Sequence, residues 1–180
     1  MKLTTLMLMF AAFLSGCSAS LEDYRQTQPN FELKSYFDGR VTARGMIEDY
    51  SGKLVRHFCV DIIGSWDGNR GELDETFYFN DGEIQKRIWK LNIADNGVVT
   101  GTAGDVVGTA SGRSQGQAFN WHYTLEVPMD DTRYEFAIDD WMYQLDKQRI
   151  MNRSYMKKFG VTVAEISIYF DKTLAPCQSG

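Results

Sequence analysis

Proline is nearly missing from this chain, with 3 in 180 residues, and histidine is scarcer still, with 2. Scarce proline alongside 43% hydrophobic and 13% aromatic residues excludes a disordered, low-complexity chain. An excess of basic residues is also lacking: 19 Lys and Arg stand against 24 Asp and Glu, for a formal charge of −5. An acidic chain has no broad positive field for phosphate backbones, so nucleic acid is excluded as a partner. The same deficit argues against the chain's own surface lying flat on anionic lipid. Beyond residue 13, no apolar run approaches the roughly 20 residues of a spanning helix. Neither His-Glu-x-x-His nor Cys-x-x-Cys occurs. No catalytic residue, metal site or cofactor is therefore assigned.

What is present begins with the first seventeen residues. Lys2 is followed by a run from Leu3 to Phe13 that is interrupted only by Thr4 and Thr5, then by Leu14-Ser15-Gly16-Cys17. A charged start, a short apolar stretch and small residues at a cleavage point describe an export signal, 1–16. The tetrapeptide looks like the bacterial lipobox, so Cys17 is expected to carry lipid and hold the protein on a membrane. One acyl chain binds marginally and two or three bind firmly. Ser18, where Asp would signal inner-membrane retention, favours the outer membrane, facing the periplasm. Residues 17–35 are polar and read as a lipidated tether that leaves the domain clear of the bilayer. Residues 36–180 read as one domain, long enough for a core of its own.

From Phe37 onward the pattern is β-rich runs between explicit turn signals. The runs are roughly 39–49, 53–66, 71–80, 83–94, 98–108, 114–127, 132–145, 148–157 and 161–171. Turns are marked by Ser51-Gly52, Asp67-Gly68-Asn69, Asn80-Asp81-Gly82, Asp95-Asn96-Gly97, Pro128 to Asp131, and Gly160. Connections this short force antiparallel neighbours. The expectation is an all-β, up-and-down barrel of about 8–9 strands, with a β-sandwich as the alternative. The glycine-rich stretch 101–118 lacks Gly-Lys-Ser/Thr and a following helix, so it reads as bent strands rather than a phosphate cradle.

Side chains alternate across a strand, which separates an inner from an outer face. Phe119, Trp121, Tyr123, Leu125 and Val127 share one face. So do Leu73, Glu75, Phe77 and Phe79. Arg87, Trp89, Leu91 and Ile93 align, as do Phe136, Ile138, Asp140 and Met142. In 148–157, Met151, Arg153 and Tyr155 are taken as the inner face. The apolar faces then carry four charges, Glu75, Arg87, Asp140 and Arg153. Buried charges need partners, so these residues either pair with one another or meet a ligand. The candidate ligand-binding set is Glu75, Arg87, Trp89, Trp121, Asp140, Arg153 and Tyr155. His57 and Cys59 share a strand face but lack a third ligand for zinc. Cys59 and Cys177 form either a disulfide or two separate thiols.

Phe37-Asp38-Gly39, Asp49 to Lys53, Asp74 to Phe77, Arg87-Ile88-Trp89, Gly104 to Gly108, Asp139 to Met142, Asn152-Arg153 and Lys158-Phe159-Gly160 together resemble a family of proteobacterial lipoproteins of unknown function. That family is similar in architecture to lipocalins and other calycins, although Gly39-Arg40-Val41 stands where lipocalins carry Gly-x-Trp. The resemblance implies a barrel that holds apolar molecules. The expected function is a lipid-anchored periplasmic protein that binds a lipid-like or other apolar small molecule inside the barrel. The alternative is an envelope assembly protein that uses the barrel's exterior. A lipid-modifying enzyme with Glu75 or Asp140 as acid or base ranks third. Partners are the membrane, through Cys17, and the lipid-like ligand. No protein partner is named.

Overall fold

The computed structural model describes residues 19–129 and 131–177, so Cys17 and the segment 1–16 expected to be an export signal lie outside the described residues. Ten strands follow one another: β1 Gly39–Asp49, β2 Leu54–Asp67, β3 Arg70–Phe79, β4 Ile84–Ile93, β5 Val99–Thr102, β6 Val106–Gln115, β7 Ala118–Met129, β8 Thr132–Gln144, β9 Arg149–Lys158 and β10 Val161–Asp171. Each pairs antiparallel with the next, and β10 returns to β1, with Thr42 opposite Asp171 and Asp49 opposite Ala164. The sheet is therefore a closed up-and-down barrel with no free edge.

The strand count exceeds the expected 8–9 because the glycine-rich stretch turns more often than its length suggests. A turn at 103–105 separates β5 from β6, and Gly116-Gln117 turns β6 into β7. On β5 and β6 the glycines make room. A Cβ on Gly101 would lie 3.1 Å from the Trp121 ring, and one on Gly112 would lie 2.7 Å from it. The phosphate cradle is absent here, and the stretch serves the packing of a buried tryptophan.

Strands of alternating direction give the barrel two ends. The turns at 50–53, 80–83, 103–105 and 159–160 and the β7–β8 connection ring one end, and those at 68–69, 94–98, 116–117 and 145–148 ring the other. Residues 20–37 pack on the second end, and those from Phe31 to Phe37 plug it. This is a correction to the tether reading, because the segment packs on the barrel. A 3₁₀ turn at Leu21–Tyr24 sets the Tyr24 ring against Trp141 and Tyr143 on the outer wall. The chain then crosses the 116–117 turn, where Phe31 N–H donates to the Gly116 carbonyl at 2.7 Å. Phe31 is buried and stacks on Phe119 with ring centroids 5.2 Å apart. A short helix, α1 (Leu33–Tyr36), follows. Tyr36 and Phe37 are buried, and the Tyr36 hydroxyl donates to the Gln148 carbonyl at 2.9 Å. A Cβ at Gly64 would strike the Phe37 carbonyl, so that position needs glycine for the plug to seat. Residues 20–35 are polar in composition, yet Phe31 and Tyr36 at the base bury enough apolar surface to fix them.

Cys177 is joined to Cys59 by a disulfide, which straps the segment after β10 to the outer face of β2. Cys59 is thereby spent and has no free thiol for a dyad or a metal. Among the described residues no group of three His, Cys, Asp or Glu can hold a metal ion. No described helix is long and apolar enough to cross a membrane.

Candidate functional site

The barrel's interior contains a cavity of about 250 Å³. It runs from Leu33 and Phe37 of the plug toward Gln85, Val127 and Met156 at the other end. Gln85 faces inward but is exposed, so that end is the mouth. A larger, shallow depression on the outer wall, near Ser65, Arg70 and Lys90, is open to solvent and its charged residues are exposed. The interior cavity is enclosed by rings. Phe58 lies 5.4–5.6 Å from Phe77 and Phe79, and Trp89 meets both Trp121 and Tyr123 edge-on at 5.7 and 5.4 Å. Alternation delivers these rings inward from β2, β3, β4 and β7.

Polar groups interrupt this apolar wall at one level. Glu75 on β3 sits directly across from Arg87 on β4 in the sheet register. Their nearest atoms, Arg87 Nη1 and Glu75 Oε2, are 3.8 Å apart, so the pair attracts but does not form a hydrogen bond. Arg87 is instead clamped by Asp105 from the 103–105 turn, with Nε–Oδ2 at 2.9 Å and Nη2–Oδ2 at 2.7 Å. Glu75 Oε2 is buried and has no hydrogen-bond partner among the described residues. Asp140 enters from β8, five strands round the closed sheet from β3 and thus on the facing wall. Its Oδ1 accepts from the Ser154 hydroxyl at 3.0 Å and from the Asn152 amide, both on β9.

Burial dominates the titration of this group. Desolvation pushes the Glu75 carboxyl up to about 7, against the pull of Arg87 and with help from the negative charges of Asp105 and Asp140. Desolvation also pushes Asp140 up to about 6, although the Asn152 and Ser154 hydrogen bonds and Arg87 draw it down. The Tyr123 phenol is raised by burial and by the nearby Asp140 charge, and it stays a neutral donor. Burial works against the Arg87 cation, but the Asp105 hydrogen bond and the Glu75 charge outweigh it.

The structure brings together five of the seven residues singled out in the sequence. Glu75, Arg87, Trp89, Trp121 and Asp140 line one cavity. Arg153 and Tyr155 do not. They point outward from β9, where the exposed Arg153 pairs with Glu165 on β10 at 2.5 Å and its guanidinium lies over the Tyr155 ring. The inner face of β9 is Ile150, Asn152, Ser154 and Met156, because Asp140 needs Asn152 and Ser154 as donors. The internal pairing of two acids with two arginines is corrected in the same way, since Arg87 is held by Asp105 and Arg153 is outside. Sequence reading missed Asp105, Tyr123, Asn152 and Ser154 as site residues. Only Tyr123 carried a usable signal, its place on the aromatic face. Gly112-Arg113-Ser114-Gln115-Gly116 has the Gly-x-Ser-x-Gly spacing, but it runs from β6 into a hairpin and leaves Ser114 exposed. A nucleophile elbow needs a strand-to-helix turn.

Among solved structures, the chain is similar in fold to the S-type phycobiliprotein lyase CPES from Guillardia theta, with a TM-score of 0.54 at 9% identity over 85% of this chain and 96% of that one. Apocrustacyanin C2 gives a TM-score of 0.44 at 17% identity over 89% and 73%. Lobster apocrustacyanin A1 gives 0.40 at 17% identity over 80% and 64%. No curated protein matches the chain. Residues 11–172 match a family profile described as protein of unknown function (DUF3833), and the chain belongs to that family.

Proposed function

We propose that this member of the DUF3833 family holds a lipid-like or other apolar small molecule inside its barrel. The observation that carries the reading is the interior itself: a ring-lined cavity of about 250 Å³, sealed at one end, with buried polar groups at one level of its wall. Ligand sites are typically concave and mostly apolar, with a few convergent polar groups and perturbed carboxyls. A cavity of about 150 Å³ lined by apolar side chains already takes up benzene, so this one has room for a modest alkyl or aromatic body. Native mass spectrometry of the protein prepared without detergent tests the reading. A retained small molecule, or saturable quenching of Trp89 and Trp121 by an added amphiphile, is the expected result. A protein that shows neither is not a carrier.

The setting belongs to the same proposal. Cleavage before Cys17 and acylation of that cysteine put the protein on the outer membrane, facing the periplasm. Only residues 18 and 19 lie between Cys17 and the N-cap of the packed 3₁₀ turn at Ser20. Such a link spans about 10 Å at most. The lipid then holds the barrel close to the bilayer by its plugged end, and does not leave it standing clear on a long tether. Cys17→Ser is expected to release the protein from the membrane fraction. Continued membrane association of that variant would refute the anchor.

A second reading, an envelope assembly protein that uses the barrel's exterior, is favoured by the mouth. Tyr50, Ile84, Met129, Phe159 and Val161 are all exposed on its turns and strand ends, and Phe159 is 96% exposed. Exposed apolar clusters mark contact surfaces. Photo-crosslinking from these positions in cells separates the two readings, since a pure carrier gives no discrete protein adduct.

A further inference from the structure

The charges in the cavity do not balance. Two cations and two acids line it: Arg56, Arg87, Glu75 and Asp140. Both cations are already claimed by acids outside the lining. Arg56, at the mouth, bonds Asp81 through Nε at 2.7 Å and Nη2 at 2.8 Å, and Glu83 through Nη2 at 2.5 Å. Arg87 is held through Nε and Nη2 by Asp105 at 2.7–3.1 Å. Neither acid in the lining has an equivalent partner. Glu75 Oε2 is buried without a hydrogen bond, and the guanidinium 3.8 Å away already serves Asp105. Among the described residues the Asp140 carboxyl is met only by the neutral Asn152 and Ser154 side chains, both at Oδ1. The two carboxyls face the lumen from opposite walls, β3 and β8, with the Tyr123 hydroxyl between them in the strand order of the wall.

We infer that the polar group of the bound molecule is a hydrogen-bond donor, an amine or a hydroxyl, received by Glu75 and Asp140. This rests on the ligand-binding reading above and gives it a substrate class. It also leaves Arg87 out of the contact with the head group, because Asp105 already fills its guanidinium fork. A carboxylate or phosphate would enter a lumen whose acids outnumber its uncommitted cations, and it would leave Glu75 as unsatisfied as before. A donor completes the valence of a buried acceptor, which is otherwise costly to leave unmade. A cationic donor also supplies the missing countercharge. The burial that keeps these acids partly protonated makes both a hydroxyl and an ammonium acceptable: a neutral acid can exchange hydrogen bonds with an alcohol, and an ionised one pairs with an amine.

A matched series tests this at neutral pH: octylamine, octanol and octanoate, titrated into the wild-type protein by calorimetry with tryptophan fluorescence in parallel. Octylamine and octanol are expected to bind at least about tenfold more tightly than octanoate. Glu75→Gln and Asp140→Asn keep the shape of the wall, and each is expected to cut the octylamine preference by about tenfold while changing octanol binding less. Octanoate binding as tightly as octylamine would overturn the inference while leaving the carrier reading intact. If no member of the series binds to protein whose near-ultraviolet circular dichroism shows packed tryptophans, the carrier reading falls and this inference falls with it. Should either variant fail to fold, the wild-type order of the three probes still decides the question.

Discussion

Glu75 concentrates the energetics of the interior in one carboxyl. Its folded pKa, about 7, lies above the usual carboxylate value because burial penalises the anion more than Arg87 can offset, and Asp105, Asp140 and Asp74 add repulsion. A raised folded pKa means that the native state binds the proton more tightly than the unfolded chain does. Stability is therefore greatest below the ordinary carboxylate range, falls as pH rises toward about 7, and levels off above it. Asp140 contributes a smaller fall of the same sign, ending near 6. The expected outcome is an unfolding free energy that drops between about pH 4 and about pH 7 and is flat above that, and a Glu75→Gln variant that drops less and exceeds wild type above about pH 7 by up to about 3 kcal/mol. Parallel curves for the two proteins would mean that Glu75 is not the group titrating. At this scale much of the candidate site's placement was legible. Glu75, Arg87, Trp89, Trp121 and Asp140 stand at alternate positions among large apolar residues, and period-two alternation is a geometric necessity of a strand. β9 was not legible, because Met151, Arg153 and Tyr155 are no less apolar than Ile150, Asn152, Ser154 and Met156. What decides between its faces is a hydrogen bond to Asp140 on the neighbouring strand, which no local pattern encodes. Asp105 was hidden for a similar reason, since it reaches the interior from a turn.

Elements follow their turns, and here the turn chemistry carried most of the fold. The Asn-Asp-Gly and Asp-Asn-Gly signals mark hairpins where the structure has them, and β1 and β10 begin and end where the apolar runs do. The plug was not legible because its apolar residues, Phe31, Tyr36 and Phe37, follow neither helical nor strand spacing. They are placed by a barrel end that exists only after the sheet closes. Phe31→Ala removes a buried ring stacked on Phe119, and it is expected to cost about 3–5 kcal/mol in urea denaturation. A loss well under 1 kcal/mol would show that the segment lies loosely on the base. The opposite end behaves in the contrary sense. Phe159 sits at the tip of the β9–β10 turn with φ 51°, a left-handed conformation that a bulky side chain adopts at a cost. Its ring is 96% exposed, so burial offsets none of that cost. Phe159→Asn is expected to raise stability by about 1 kcal/mol, read as a shift in denaturation midpoint without a change in slope. No shift would mean that the turn relaxes away from this geometry in solution.

Closure of the whole molecule rests on contacts between segments far apart in the chain. The β1–β10 pairing joins residues near 42 to residues near 171, and without it the sheet would present two long edges. Bringing such distant segments together carries a loop-closure cost that local hairpins do not share. The Cys59–Cys177 bridge, across a separation of 118 residues, ties β2 to the segment just beyond β10 and so spans this seam. It confines the unfolded chain to conformations in which the first and last strands are already near each other. On the chain-entropy account a loop of this length contributes about 2–5 kcal/mol. Wild-type protein in reductant, and Cys177→Ser in its absence, are expected to lose that amount equally, with the strand signal of the native circular dichroism retained below the new midpoint. Equal midpoints with and without reductant would mean that the hydrogen-bonded seam alone closes the barrel. The size of the loss also bears on where the protein works. A barrel that depends on its bridge needs an oxidising compartment, the same compartment to which an export signal before Cys17 would send it.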